Sequence, residues 1–220
     1  MRINKYIAQS TGMSRRKADE IIAAGRVLVN GKLPEVGQQI KAGDIVEVDG
    51  NKVEALTNTT TIVFNKPAGV ICSKVRQDDT PTIYELLPED LKDLKTIGRL
   101  DKNSRGLLLL TNDGDLAQRL THPKYKKEKV YQVKLDKELA SSDKEAIENG
   151  IDIEEYISQL QLKHLGENSW QVTMTQGRNR QIRRTFETLG YKVVDLLRVK
   201  FGEYRLGDLK EGKWQAAPRS

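Results

Sequence analysis

The residues that say most about the fold are GRLDKNSRGLLLLTNDG, at positions 98–114. The four leucines Leu107–Leu110 lie between Gly106 and an Asn-Asp-Gly turn, and a short apolar run bounded in this way predicts a buried strand. A helix is expected to start at Asp115. The segment before the strand is polar and places Asp101 among three cations, so the chain passes directly from a charged loop into the core of a domain.

Helical and strand patterns are mixed on both sides of this stretch. Because they do not alternate strictly, they favour an α+β domain with a mixed, mainly antiparallel sheet. This domain is expected to span residues 61–220. Its other predicted strands are Thr61–Phe64, Lys129–Leu135, Trp170–Thr175 and Lys192–Arg198, and its other predicted helices are Thr82–Leu87, Ser142–Asn149 and Asn179–Leu189.

Residues 1–56 form a second pattern, typical of a small domain of two helices and a sheet. Ser14 is a suitable helix N-cap, and apolar residues at helical spacing follow it until Gly25. Val27–Val29 then predicts a strand, and Asn30-Gly31 a hairpin turn into a second strand that begins at Lys32. The polar residues 57–60 are expected to form a linker to the domain at 61–220.

The composition excludes several classes of protein. The chain has 220 residues, of which 37% are hydrophobic and 31% charged, and no apolar run reaches the ~18 residues of a membrane span. The first ten residues lack an apolar signal core, so we expect a cytoplasmic protein without membrane contact. One cysteine and two histidines argue against a disulfide framework or a metal site, and no nucleotide-binding glycine motif is present.

The charge distribution points to a polyanionic partner. Lysine and arginine number 37 against 31 acidic residues, for a net charge of +6. The excess is concentrated in residues 1–32, 124–134 and 178–205, whereas residues 135–170 are acidic. Clustered cations of this kind are the usual footprint of a nucleic-acid-binding protein.

The first of these clusters lies at the start of a predicted helix. Three cations occupy the first turn after Ser14, where the helix dipole disfavours positive charge. A solvated charge run is one explanation, but contact with phosphates would reverse the local penalty. The adjacent hairpin carries two further cations, and we expect all five to contact phosphates: Arg15, Arg16, Lys17, Arg26 and Lys32.

Two other polar clusters are candidates for chemistry. Asp101 lies among cations that favour its ionised form, and a positioned carboxylate can act as a nucleophile or a base. An isolated Arg-x-Asp segment is more often an ordinary loop ion pair. In residues 176–184, a helix from Asn179 would place Arg180, Arg183 and Arg184 on one face. That face could be merely solvated, or it could bind phosphates and turn one arginine inward to a carboxylate.

Four motifs in a fixed order resemble those of the RsuA-type ribosomal RNA pseudouridine synthases. KPAG at 66–69 resembles the Lys-Pro-x-Gly segment of that family, and residues 98–114 resemble its catalytic motif. EKVY at 128–131 resembles its Lys-x-Tyr segment, and GRNRQIRR at 177–184 its C-terminal basic motif. Residues 1–50 resemble the RNA-binding domain shared with ribosomal small-subunit protein S four.

This resemblance implies isomerisation of a uridine in ribosomal RNA to pseudouridine, without cofactor or metal. Asp101 would attack the sugar or remove a sugar proton, Tyr131 would stack on the base and assist proton transfer, and Arg183 would pair with Asp101. Arg99 would fill the space left by the extruded nucleotide. Further RNA contacts are expected at Lys66, Lys129, Arg178 and Arg180.

Two alternatives to a catalytic synthase are considered at the level of sequence. The chain could be a non-catalytic RNA-binding protein that retains the scaffold. A glycoside hydrolase would need a second carboxylic acid near Asp101, and the motif offers none. The target uridine is open, with a single-stranded or looped region of large-subunit RNA slightly preferred over small-subunit RNA, and we expect a monomer.

Overall fold

The chain begins with two short helices, α1 (Ile3–Thr11) and α2 (Arg15–Ala23). The computed structural model describes residues 1–54 and 59–218, which divide into two units between Thr59 and Thr60. Residues 57 and 58 of the expected linker lie outside the described residues, as do 55 and 56 of the expected first domain. The Ser14 side chain accepts a hydrogen bond from the Lys17 main-chain nitrogen at 3.1 Å, as expected for an N-cap.

The first unit completes its core with three strands, β1 (Val27–Val29), β2 (Val46–Val48) and β3 (Asn51–Val53), in the order β1-β2-β3. The predicted strand from Lys32 is wrong: Lys32 forms only an isolated bridge to Val29. The chain beyond it is a loop with Leu33 and Val36 exposed, and the partner of β1 is β2.

The second unit is built on one large mixed sheet. Within residues 59–218, nine strands belong to it, in the order β10-β11-β7-β12-β6-β4-β14, with β5 on β6 and β13 on β12. All pairs are antiparallel except β12 with β6. The predicted α+β class with a mainly antiparallel sheet is confirmed. The strands are β4 (Thr61–Lys66), β5 (Lys95–Ile97), β6 (Arg105–Thr111), β7 (Lys129–Leu135), β10 (Gln161–Gly166), β11 (Ser169–Met174), β12 (Val193–Phe201), β13 (Tyr204–Arg205) and β14 (Trp214–Ala216).

The central strand β6 is covered on both faces. Leu107 to Leu110 are all 0% exposed, which confirms the predicted buried strand. Leu108 and Leu110 pack into one apolar cluster and Leu107 and Leu109 into another on the opposite face. Because successive side chains of a strand point to opposite faces, a strand buried on both sides has a continuous apolar run.

Helices and short hairpins cover this sheet. The helices are α3 (Gly114–Thr121), α4 (Ser141–Asn149) and α5 (Gln181–Thr188), and a two-stranded hairpin, β8 (Ile151–Asp152) and β9 (Ile157–Ser158), lies between α4 and β10. The predicted helix at Thr82–Leu87 is a single 3₁₀ turn, Ile83–Leu86, because prolines at both ends leave no room for a longer helix. No helix in the described part of the chain is long and apolar enough to cross a membrane.

The sequence did not predict β5, β10 or β14. Each lacks a decisive pattern: β5 has three residues, β10 carries five exposed residues, and all three residues of β14 are exposed. These strands form because a neighbouring strand offers main-chain partners, and such pairing leaves little trace in side-chain type.

Candidate active site

The loop between β5 and β6 carries Asp101. Gly98 adopts a φ of +69°, in the left-handed region that favours glycine, and the Ser104 nitrogen donates a 3.0 Å hydrogen bond to the Asp101 carbonyl. The chain therefore leaves β5, turns tightly and enters β6 within a few residues. This path leaves the Asp101 side chain half-buried in the wall of a cavity.

Gly106 brings this loop against strand β12. Its φ is +104°, and a Cβ atom at this position would lie 2.8 Å from the main-chain nitrogen of Arg198. Only glycine permits such an approach, which places β6 in parallel register with β12, Gly106 opposite Arg198. On its other edge β12 pairs with β7, with Arg198 opposite Tyr131. The sheet therefore carries Tyr131 on β7 and the Asp101 loop, which leads into β6, to the same cavity from the two sides of β12.

The cavity has a volume of about 660 Å³ and is strongly cationic. Asp101 supplies the one carboxylate among the described residues that line it. Tyr131, on β7, contributes to the wall although the residue is only 8% exposed. The cationic lining residues are Arg99, Lys129, Arg178, Arg180, Arg183 and Arg198.

Arg183 turns inward from α5, but its contacts differ from the predicted pairing with Asp101. Its two terminal nitrogens donate to main-chain carbonyls, Nη1 to Val193 at 2.7 Å and Nη2 to Asn103 at 2.8 Å. Burial lowers the pKa of the guanidinium, and the charge of Asp101 acts in the opposite direction. Arg183 is therefore an electrostatic neighbour of Asp101 that holds the Asp101 loop through its Asn103 carbonyl.

Neighbouring arginines on α5 do not share one face as predicted. Arg180 adopts a left-handed conformation before the helix and is exposed, Arg183 is buried, and Arg184 is half-buried. The helix begins at Gln181, two residues later than the pattern indicated. Because of this shift, the side chains of the three arginines do not lie on one helix face.

Lys66 is not an RNA contact, contrary to the sequence prediction. The residue is 0% exposed, and its Nζ donates to the carbonyls of Ser104 at 2.7 Å, Pro67 at 2.9 Å and Lys102 at 3.3 Å. Burial lowers its pKa from 10.5 to about 8, while the charge of Asp101 acts in the opposite direction. A lysine with three carbonyl acceptors and no solvent contact fixes the loop on which Asp101 lies.

Arg198 is a site residue that the sequence analysis missed. It is 2% exposed, lines the cavity, and donates from Nε to the Leu107 carbonyl at 2.7 Å. Its guanidinium carbon lies 5.1 Å from the centroid of the Phe201 ring. The sequence did offer a signal for this site residue, since Arg198 lies in the largely apolar stretch VVDLLRVKF (193–201). Arginine is rarely buried without a specific partner.

The remaining predicted RNA contacts of this unit lie along the cavity. Arg99, Arg178 and Arg180 are exposed lining residues. Lys129 is half-buried, and its Nζ donates to the Thr175 carbonyl at 3.0 Å; burial lowers its pKa. All four predictions thus fall in one place, together with Asp101 and Tyr131.

The five predicted phosphate contacts of the first unit are all exposed, but they differ in their partners. Arg26 forms a bidentate pair with Asp49, with N–O distances of 2.7 and 2.6 Å. Lys17 pairs with Glu20 at 2.8 Å, and Arg15 donates to the Asn4 side chain at 3.4 Å. Within the described residues, the side chains of Arg16 and Lys32 have no hydrogen-bond or ion-pair partner. Arg26 is consequently less available to a phosphate than its sequence position indicated.

A cationic cavity lined by one carboxylate and a tyrosine, in a chain whose first unit also carries exposed cations, fits an enzyme that acts on a nucleic acid. The comparisons with known proteins agree. Residues 60–188 match the RNA pseudouridylate synthase family, and residues 1–54 match the S4 domain. The chain belongs to the RNA pseudouridylate synthase family, whose members are isomerases that act on RNA.

Relatives and a solved structure resemble the chain over nearly its whole length. The dual-specificity RNA pseudouridine synthase RluF of Escherichia coli (strain K12) is 35% identical over 218 residues, which cover 98% of this chain and 74% of RluF. The ribosomal large subunit pseudouridine synthase B of Pseudomonas aeruginosa is 35% identical over 97% of this chain and 58% of its own length. A crystal structure of a pseudouridylate synthase is 33% identical, with a TM-score of 0.70 over 98% of this chain and 95% of that one. These findings confirm the resemblance to RsuA-type enzymes.

Proposed function

We propose that this enzyme converts a specific uridine of ribosomal RNA to pseudouridine, with Asp101 as the reacting carboxylate. The observation that carries the proposal is that Asp101 is the one carboxylate among the described residues that line the cationic cavity, which Tyr131 lines as well. A volume of about 660 Å³ lies in the usual range for a small-molecule site and is sufficient for one nucleotide. A glycoside hydrolase is disfavoured because its two-carboxylate mechanism needs a second acid in the cavity.

The reaction requires no redox change and no net hydrolysis. The bond from the uracil nitrogen to the sugar is broken, the uracil turns, and a bond from its carbon five to the sugar is formed, after which carbon five loses its proton and the freed nitrogen gains one. In one route Asp101 attacks the sugar carbon and is displaced again when the carbon–carbon bond forms. In the other route it removes a sugar proton to give a glycal-like intermediate and returns that proton to the sugar when the new bond forms. In both routes the Asp101 carboxylate must be ionised.

Tyr131 and Arg183 act on different parts of this reaction. The Tyr131 ring in the cavity wall stacks on the uracil, and its hydroxyl assists proton transfer. Arg183 contributes a positive charge near Asp101 and holds the main chain of the Asp101 loop. Removal of the Arg183 side chain therefore affects both the charge and the position of the carboxylate.

The uridine must leave its stack before Asp101 can reach the sugar. Flipping a nucleotide costs a few kcal/mol, least in a looped or single-stranded region. Phosphate contacts along the cavity offset this cost, with Arg99 in the space left by the extruded nucleotide. The S4 domain adds further RNA contacts through its exposed cations.

Large-subunit ribosomal RNA is the preferred substrate in this proposal. It is supported by the likeness to the large-subunit enzyme of Pseudomonas aeruginosa. Because the residues proposed for catalysis all line one cavity of one chain, we propose a monomer, located in the cytoplasm with its ribosomal RNA substrate.

The test is release of tritium from carbon five of labelled uridine in ribosomal RNA. Asp101→Asn should lower the rate about 10⁴-fold, as expected for loss of a reacting group, while RNA affinity is retained. Asp208→Asn is the matched control, because Asp208 is exposed and outside the cavity. Full turnover by Asp101→Asn would exclude the mechanism. Absence of turnover in the unmodified enzyme, with intact RNA binding, would favour a non-catalytic RNA-binding role.

A further inference from the structure

Arg178 has an unusual environment for an exposed arginine. Its guanidinium carbon lies 4.0 Å from the centroid of the Tyr156 ring, a close stacking distance. Its side chain forms neither a hydrogen bond nor an ion pair with any residue in 1–54 or 59–218. The neighbouring Arg184 differs, because its guanidinium donates to the Glu155 carboxylate and the Ile153 carbonyl, both at 3.1 Å. The Tyr156 ring therefore covers one side of the Arg178 guanidinium, whose donors stay available.

The ring that supports Arg178 is itself held in place. Tyr156 lies in the turn between β8 and β9, and the Ser158 hydroxyl at the end of this hairpin bonds to the Thr185 hydroxyl of α5 at 2.7 Å. The Gln181 side chain also donates to Ser158, at 3.1 Å. The Tyr156 hydroxyl is buried and has no hydrogen-bond partner among the described residues. The contribution of Tyr156 thus comes from the ring.

Gln181 joins the two halves of this arrangement. Its side-chain oxygen accepts a hydrogen bond from the main-chain nitrogen of Arg178 at 3.1 Å, and its side-chain nitrogen donates to the Ser158 hydroxyl. The loop that carries Arg178 and the hairpin that carries Tyr156 are therefore fixed to the same buried residue. Arg178 lines the cavity that contains Asp101.

We propose that Tyr156 is a positioning residue that preorganises Arg178 as a two-donor site for an RNA phosphate next to the reacting nucleotide. A guanidinium stacked on an aromatic face keeps its edge free, and that edge matches two phosphate oxygens. Stacking also removes side-chain freedom before RNA binds, which improves affinity without adding a contact. This inference rests on the proposed function, because it takes RNA as the ligand of the cavity.

A double-mutant cycle tests it. RNA affinity is measured over a range of salt concentrations for Tyr156→Leu, Arg178→Gln and the double variant. Tyr156→Leu should weaken binding about 3- to 5-fold, the strength of an exposed stack of this type, and Tyr156→Phe should bind like the unmodified enzyme. Arg178→Gln should reduce the slope of log affinity against log salt by about 1. The double variant should bind no more weakly than Arg178→Gln.

Two results would overturn the inference. One is additive losses in the double variant; the other is an equal loss in Tyr156→Phe and Tyr156→Leu. Arg178→Lys provides a second test that does not depend on the hairpin, because lysine keeps the charge but not the planar edge. It should lose affinity, and full retention would contradict the inference.

Tritium release separates this outcome from failure of the proposed function. For Tyr156→Leu, rates measured over a range of RNA concentrations should give an unchanged kcat and a KM that is 3- to 5-fold higher, which matches the affinity loss. Release by the unmodified enzyme with no change of KM in Tyr156→Leu would reject the positioning role alone. No release by the unmodified enzyme would reject the proposed function, while the affinity cycle would still test the phosphate site.

Discussion

The buried cations that hold the Asp101 loop and strand β6, and the exposed cations at the start of α2, are the same residue types in opposite environments. Lys66, Arg183 and Arg198 are 0%, 7% and 2% exposed, and they donate to main-chain carbonyls. The three cations at the start of α2 are all exposed. The buried group determines the shape and the field of the active site. The exposed group can exchange its counterions for phosphates at little cost to the fold.

This contrast in burial also determines how much each cation contributes to the stability of the fold. A buried ammonium is costly unless it is hydrogen-bonded, and removing it leaves carbonyls without donors. An exposed cation in a surface ion pair contributes about 0–1 kcal/mol to stability. The buried cations should therefore govern folding and chemistry, and the exposed cations should govern RNA affinity and its salt dependence.

Removal of the Lys66 ammonium should have the largest effect on stability. Lys66→Met leaves the carbonyls of Pro67, Lys102 and Ser104 without their donor and should lower the free energy of unfolding by about 3 kcal/mol. Activity should fall as well, because the Asp101 loop loses its anchor. Urea unfolding measures the change, with Lys163→Met as a control on the exposed side of β10. A loss below about 0.5 kcal/mol, typical of surface substitutions, would mean that the loop does not depend on this contact.

The pH dependence of stability should give the next largest effect. Burial lowers the pKa of Lys66 to about 8, so between pH 8 and its usual value of 10.5 the unfolded state binds the proton and the folded state does not. Stability rises with pH wherever the unfolded state binds more protons. From pH 7.5 to 9.5 the unmodified enzyme should therefore gain about 2 kcal/mol relative to Lys66→Met. Parallel curves for the two proteins would contradict the lowered pKa.

The surface cations of the first unit should have the smallest effect on folding. Replacing Arg15, Arg16 and Lys17 together by glutamine should change the free energy of unfolding by less than about 0.5 kcal/mol. The same variant should reduce the salt slope of RNA binding by up to about 3, since each phosphate contact contributes about 0.9. Lys163→Gln serves as a charge control. An unchanged slope would show that the first turn of α2 does not meet phosphates.

The sequence predicted those parts of the site that local patterns encode. The leucine run of β6 and the order of the four motifs led to the fold class and the family. Asp101, Tyr131 and Arg183 were named from the motifs, and the fold brings them to one cavity. Their catalytic roles remain predictions until the variants are measured.

The sequence by itself determined the two-unit organisation of an RNA-modifying enzyme and the strand that organises its larger sheet. Only the tertiary structure decided that Lys66 faces the core, that Arg198 lines the cavity and that Arg178 stacks on Tyr156. The physical reason is that a cation can be solvated or buried according to whether folding brings acceptors to it. The Ser104 carbonyl that accepts from Lys66 is 38 residues away along the chain, and the Asn103 carbonyl that accepts from Arg183 is 80 residues away. For Lys66 and Arg183, no local pattern of charge or hydrophobicity carries that information.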